Sequence, residues 1–324
     1  MKILLLSSLV LAAADPRSAV EKAIPILQKT GPIFFEKTGC IGCHHNSLPA
    51  FTMKVARERG FKVDDAVVKK MRDITAHYID SRRERILQGI AIPGNEDTVS
   101  YVLFGLAMDD APNTEGTDAA TLYLRRKQQP DGGWSVRANR PPIEVSRITT
   151  TAITVRALRA YDATSRPQID RARAWLNAAK PESTEDHAMK TMGLVWAFAT
   201  KAEAVKAAVA LLDTQNKDGG WSQIPSLPSD AYATGQALTA LYEAGIHTTD
   251  PAYKKGVAFL LETQKPDGTW HVVGRTNKFQ PYFESGFPHG HDQWISAAAT
   301  SWAAAALALT QPKRKGESAA ARIE

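Results

Sequence analysis

Cysteine is almost missing from this chain: 324 residues hold two, Cys40 and Cys43. None is spare for a disulfide elsewhere. Long apolar runs are missing too. The opening stretch, ILLLSSLVL and its neighbours, has about 12 apolar residues against the roughly 20 that a membrane span needs, and no other run matches it. Nor is there a strip of basic residues interleaved with aromatics, so nucleic acid is not an expected partner. Much of the formal charge of +6 sits near the end, in Lys313-Arg314-Lys315, which reads as a solvated tail over 312–324.

What is present suits a large globular core, with 44% hydrophobic and 23% charged residues. The start combines Lys2, a short apolar core and Ala12-Ala13-Ala14 before Asp15-Pro16. That pattern predicts a secretory signal over 1–14, cut after Ala14. The mature protein is then expected to be secreted or periplasmic, with no transmembrane anchor.

The body of the chain repeats itself. QQPDGGW at 128–134, QNKDGGW at 215–221 and QKPDGTW at 264–270 share Gln, Gly four residues on and Trp six residues on. Leu124, Leu211 and Leu260 each precede the Gln by four residues, one helical turn back on the same face. Asp-Gly cannot comfortably continue a helix, so each helix is predicted to end near its Gln. The Gln amide can then bond carbonyls at that end while the Trp packs beneath the neighbouring unit. A second pattern follows: Thr151, Thr234 and Thr300 each open a helix with small residues every third position, and Thr191 opens a fourth copy without a Gln–Trp turn. Small faces suit an inner ring of closely packed helices. A weaker first unit runs from Glu96 to Asp110, giving about five helix pairs and little β structure.

These turns resemble the Q-x3-G-x-W repeats of the squalene–hopene cyclase and protein prenyltransferase superfamily, over roughly residues 85–311. The resemblance implies an all-α, α/α-toroid fold, with the repeat domain at 61–311. It does not bring the family's chemistry. Class II cyclases use the middle aspartate of D-x-D-D as the acid. The best match here is Asp230-Ala231-Tyr232-Ala233, in which Tyr232 occupies the acid's position. A phenol with pKa near 10 is too weak for that role. The zinc set of protein prenyltransferases needs a cysteine, and residues 61–311 contain none.

The two cysteines lie outside the repeats, in Cys40-Ile41-Gly42-Cys43-His44. The sequence resembles the C-x-x-C-H attachment motif of c-type haem proteins, in which both thiols bond the porphyrin and the histidine ligates iron. One covalent haem c, held by Cys40, Cys43 and His44 in a segment at 15–60, is the preferred reading. A reversible thiol pair remains open, though no thioredoxin-like strand and helix flank it, and so does a disulfide. Zinc is disfavoured because Cys40, Cys43, His44 and His45 are too crowded for a tetrahedron. The expected partner is a redox protein or an apolar small molecule.

The third repeat is out of step. Its Trp270 and Thr300 are 30 residues apart, whereas Trp221 and Thr234 are 13 apart. The extra residues carry Tyr282, Phe283, Phe287, His289, His291, Asp292 and Trp294. This loop is expected to lie against Cys40–His44, with His289 or His291 as distal ligand and Asp292 orienting the other. Asp230, Tyr232, Asp292 and Trp294 are expected to line the pocket.

Overall fold

The computed structural model describes residues 15–90, 92–277 and 282–314. The signal predicted at 1–14 and most of the basic tail, 315–324, lie outside the described residues. Among the described residues thirteen α-helices carry the fold: α1 Pro16–Thr38, α2 Leu48–Glu58, α3 Asp65–Asp80, α4 Arg83–Leu87, α5 Asn95–Met108, α6 Glu115–Lys127, α7 Arg147–Tyr161, α8 Arg166–Ala178, α9 Thr184–Trp196, α10 Lys201–Leu212, α11 Ala231–Glu243, α12 Pro251–Thr263 and α13 Gln293–Leu309. The strands among the described residues, β1 Trp221–Ser222 and β2 Ser229–Asp230, pair antiparallel in one short ribbon.

The helices sort by how they are buried. α5, α7, α11 and α13 are buried on every side, whereas α8 buries only Ile169, Ala172 and Leu176 and α12 only Tyr253, Gly256 and Leu260. A helix buried all round belongs inside, and one with a single apolar stripe belongs outside. The inner helices α2, α5, α7, α9, α11 and α13 pack each on the next, and α13 closes on α2. This is an α/α toroid, as expected. Gly235 shows how tightly the inner ring closes: a Cβ there would stand 2.5 Å from Ala303 N on α13.

The repeat turns are the stitches. Gln128, Gln215 and Gln264 each donate from Nε2 to the glycine carbonyl of their own turn, at 2.8, 2.8 and 3.0 Å. Each donates also to the first turns of the next outer helix, at Gln168 O, Ala252 O and Ala19 O, all at 2.8 Å. The glycines, Gly132, Gly219 and Gly268, have φ of 100°, 88° and 87° and press on the backbone of Arg171, Lys255 and Lys22. No other residue fits that pairing of positive φ and close approach. The tryptophans are 0%, 0% and 1% exposed. Their indoles donate to Leu124 O, Leu211 O and Leu260 O, and their backbone N–H groups donate to the hydroxyls of Thr151, Thr234 and Thr300.

One expectation needs correction. Residues 15–60 do not stand apart from the repeats. The third turn holds α1, 245 residues away in sequence, as the other two hold α8 and α12. α2 completes the inner ring between α13 and α5. The ring therefore has six helix pairs rather than five. The sixth is built from the segment assigned to haem, which opens without a Gln–Trp turn before it.

Two outcomes follow from these stitches. Replacing Trp134, Trp221 or Trp270 by Ala is expected to cost about 3–5 kcal/mol each, read from denaturant midpoints. Wild-type midpoints in all three would contradict their place in the core. Gln264→Ala is expected to cost about 1–3 kcal/mol, because it removes the bond that ties the third turn to α1 and takes away the donor to Gly268 O. Amide exchange should then quicken in α1, whereas Gln128→Ala should leave α1 protected.

Candidate functional site

The inner helices run parallel. Their starting turns touch, as in Thr149 with Glu185 and Thr150 with Asp97. Their ends touch too, as in Arg159 with the carbonyl of Trp196. Six N-termini therefore gather at one mouth, and their dipoles favour acidic residues there. Glu96 and Asp97 begin α5, Glu185 and Asp186 begin α9, and Asp230 caps α11 by accepting from Ala233 N at 2.9 Å.

The Cys-x-x-Cys-His stretch opens the sixth inner helix at this same mouth. α1 ends at Gly39, which takes φ 62°, and a π-helical turn over Cys43–Ser47 leads into α2. The turn is fixed from both sides: Asn46 accepts from Gly42 N at 2.8 Å and donates to Gly31 O at 3.2 Å. Cys40 is half-buried, and burial raises its thiol pKa, partly offset by a hydrogen bond with Tyr78. Cys43 is buried, and its thiol is pushed well up by burial and then by Glu144. Both thiols are free.

His44 stands between two aromatic rings. Trp294 lies parallel to it at 5.7 Å between centroids and Phe34 meets it edge-on at 5.0 Å. Burial, then nearby Arg140, hold its pKa down to about 3, so the imidazole is neutral. Its Nδ1 is 2.5 Å from Nδ1 of His45, and its Nε2 has no hydrogen-bond partner among the described residues. His45 is buried, and its Nε2 lies 2.9 Å from the hydroxyl of Ser285.

The long third-repeat loop does come up against this segment, through residues other than the expected histidines. Ser285 and Phe287 meet His45, Phe283 meets Phe34, and Trp294 covers His44. His289 instead pairs with Thr269 at 2.8 Å and stacks on His271, while His291 is exposed beside Tyr282. Asp292 orients neither of them: it bonds His271 at 2.8 Å and accepts from Gly274 N. Phe34 and Ser285 carried no motif that would have singled them out.

Below the mouth lies a buried acid that the sequence reading missed. Glu185 is 2% exposed and accepts from Thr149 at 2.9 Å and from Tyr232 at 2.7 Å. Burial pushes its pKa up to about 7 in spite of those donors. Asp97 is likewise pushed up to about 7 by burial, with one oxygen taking the Thr150 hydroxyl and the other unpartnered among the described residues. Asp230 is occupied by its cap and by Gln223 at 2.9 Å. Tyr232, expected in the pocket, faces inward and donates its proton to Glu185. The available signal was position: Asp97 and Glu185 lie in the first turn of an inner helix, and Asp230 caps one.

Among the described residues no group of three or more His, Cys, Asp or Glu side chains could hold a metal ion by itself. No described helix is long and apolar enough to cross a membrane.

Comparison with known proteins bears on the scaffold. Residues 187–291 match the family described as Squalene-hopene cyclase C-terminal domain. A drimenyl diphosphate synthase from Streptomyces showdoensis is 30% identical over 200 residues, covering 56% of this chain and 36% of that protein. A squalene–hopene cyclase from Bradyrhizobium diazoefficiens is 25% identical over 223 residues, covering 63% of this chain and 27% of its own length. The chain thus spans about a third of the curated relatives it matches. A type II terpene cyclase from Scytonema, solved with merosterolic acid A, superposes with a TM-score of 0.57 at 15% identity, covering 90% of this chain and 96% of that one. An unsaturated glucuronyl hydrolase from Bacillus sp. GL1 shares the fold at a TM-score of 0.54 and 13% identity, covering 89% and 96%. The fold is the α/α toroid of terpene cyclases, and the central and C-terminal repeats are similar to the squalene–hopene cyclase C-terminal domain.

Proposed function

We propose that this chain is an exported c-type haem protein whose toroid forms the surroundings of one covalently held haem, used in electron transfer or in redox chemistry on an apolar ligand. What supports the reading is a single arrangement. Two free thiols three residues apart precede a neutral imidazole whose Nε2 has no partner among the described residues and whose ring lies between Trp294 and Phe34. The donor set fits the group: Cys40 and Cys43 would form the thioethers and His44 would ligate iron. When bound, haem supplies a one-electron couple. The chain's own residues would hold it at the mouth, crowd His44 between rings that keep it neutral, and offer an aromatic wall of Phe34, Phe283 and Trp294 to an apolar face.

A second reading rests on the relatives, two of which are named for terpenoid chemistry. In it the toroid carries no haem and binds a lipid or glycan, or is an enzyme on the terpenoid-cyclase-like scaffold. Proton-initiated cyclisation is not part of either reading. The acid's position holds Tyr232, and the carboxyl it meets, Glu185, titrates near 7 where alkene protonation needs a far stronger acid.

Protein made with the c-haem assembly machinery is expected to stain for haem after denaturation. Cys40→Ala or Cys43→Ala should lose the covalent attachment. His44→Ala should keep it in part and shift the Soret band. Wild-type protein carrying free thiols or a disulfide and no haem would overturn the first reading. Incubated with squalene or a polyprenyl diphosphate, the protein should return the polyene unchanged. A cyclised product that disappears in Tyr232→Phe would reverse the assignment of that position.

A further inference from the structure

We infer that Gln293, at the first position of α13, fixes which nitrogen of His44 carries the proton, acting through Ser285 and His45 as a positioning residue. The direction of every bond in this chain follows from its anchored end. Gln293 Nε2 donates to the carbonyl of Phe283 at 2.8 Å, and Gln293 Oε1 accepts from Ser285 N at 2.8 Å. Turning the amide over would set oxygen against oxygen and N–H against N–H, so its orientation is fixed by backbone. The Ser285 hydroxyl also meets Gln293 Oε1, and of those two oxygens only the hydroxyl has a proton to give. Ser285 therefore donates to Gln293. A hydroxyl has one donor, so toward His45 it can only accept.

His45 must then carry its proton on Nε2, which donates to Ser285 Oγ at 2.9 Å. Phe287 N fills the other lone pair of that oxygen at 3.3 Å, so the hydroxyl is fully used. His45 is 1% exposed and no carboxylate among the described residues meets either ring, so each imidazole stays neutral with a single ring proton. With its proton on Nε2, His45 offers a lone pair at Nδ1. The remaining contact, 2.5 Å between the two Nδ1 atoms, needs one proton, and His44 supplies it. His44 is thus the Nδ1–H tautomer, and its lone pair is at Nε2, the nitrogen without a partner among the described residues. A ligating histidine whose other nitrogen donates to a fixed acceptor is held in orientation and made a better donor to metal. That consequence rests on the haem reading; the tautomer does not.

Long-range 1H–15N spectra of the full chain made without haem test the tautomer directly. The wild type is expected to show His44 protonated at Nδ1 and His45 at Nε2. Gln293→Met keeps the size of the side chain and removes its acceptor, so Ser285 can turn and His44 should divide between both tautomers. Gln293→Glu at mildly alkaline pH sets an oxygen against the carbonyl of Phe283 but keeps the acceptor toward Ser285, so it should preserve the wild-type pattern in whatever fraction folds. In haem-loaded protein the Met variant should shift the Soret band and the Glu variant should not. His44 protonated at Nε2 in the wild type overturns the inference, whether or not either variant folds. Met and Glu variants that scramble alike, or that both leave the tautomer intact, reduce Gln293 to a packing residue. A chain that shows the expected tautomers and never acquires haem overturns the proposed function alone.

Discussion

Everything in this ring depends on the three-way contact made by each repeat turn. One glutamine amide ties its own turn to the next outer helix, and one tryptophan ties the same turn to the outer helix behind it and the inner helix ahead. The tryptophan indole satisfies a carbonyl at a helix end, and its backbone N–H is satisfied by an inner-helix threonine. Helix ends carry unpaired backbone groups that are costly to bury. The turns pair several of them inside the wall. The ring can therefore be built from short helices without leaving polar gaps at their junctions.

Parallel inner helices have an electrostatic consequence. Six positive dipole ends meet at one mouth, where acidic side chains are favoured, yet the ring buries that mouth and desolvates them. Desolvation wins for Glu185 and Asp97, both pushed up to about 7. The opposite end collects cations, as helix C-termini require. Arg159 there meets two carbonyls of α9. The mouth is thus a place where carboxyls and histidines rest near neutrality in electrical terms, and that is where the only cysteines lie.

Much of the wall was legible in the sequence because its contacts are local or periodic. The Leu, Gln, Gly, Trp and Thr of each repeat are the atoms that touch, and their spacings gave helix ends, inner helices and burial of all three tryptophans. The sixth unit was not legible. α1 and α2 carry the apolar faces of an outer and an inner helix, but no Gln–Trp turn precedes them, because the turn that holds α1 lies at the other end of the chain. The candidate site was legible at Cys40, Cys43 and His44 and in the long loop whose Phe283, Phe287 and Trp294 pack beside them. Glu185 looks in sequence like an ordinary first-turn acid, and Ser285 and Gln293 have no periodic mark at all. Asp292 and the loop histidines had the chemistry expected of a ligand site, but their partners are Thr269, His271 and Tyr282 rather than the segment that bears His44.

The site sits on the seam where the chain closes on itself. The first unit and the last are joined at the mouth by His45 and Ser285, midway by Thr52 of α2 donating to Ser301 O of α13 at 2.9 Å, and just beyond the helix ends by Arg59 donating to Gln311 O at 2.6 Å. Each of these bonds spans about 240 or more residues, so none can form until the intervening repeats have stacked. Trp294 and Gln293 reach His44 and His45 only across that closed seam. The five other inner-helix junctions join successive units and can form as the ring grows. Completion of the ring and assembly of the histidine pair are thus one event. A side chain placed anywhere else around the mouth would be set before closure, whereas His44 gains its aromatic cover and its fixed proton only when the last helix meets the first unit.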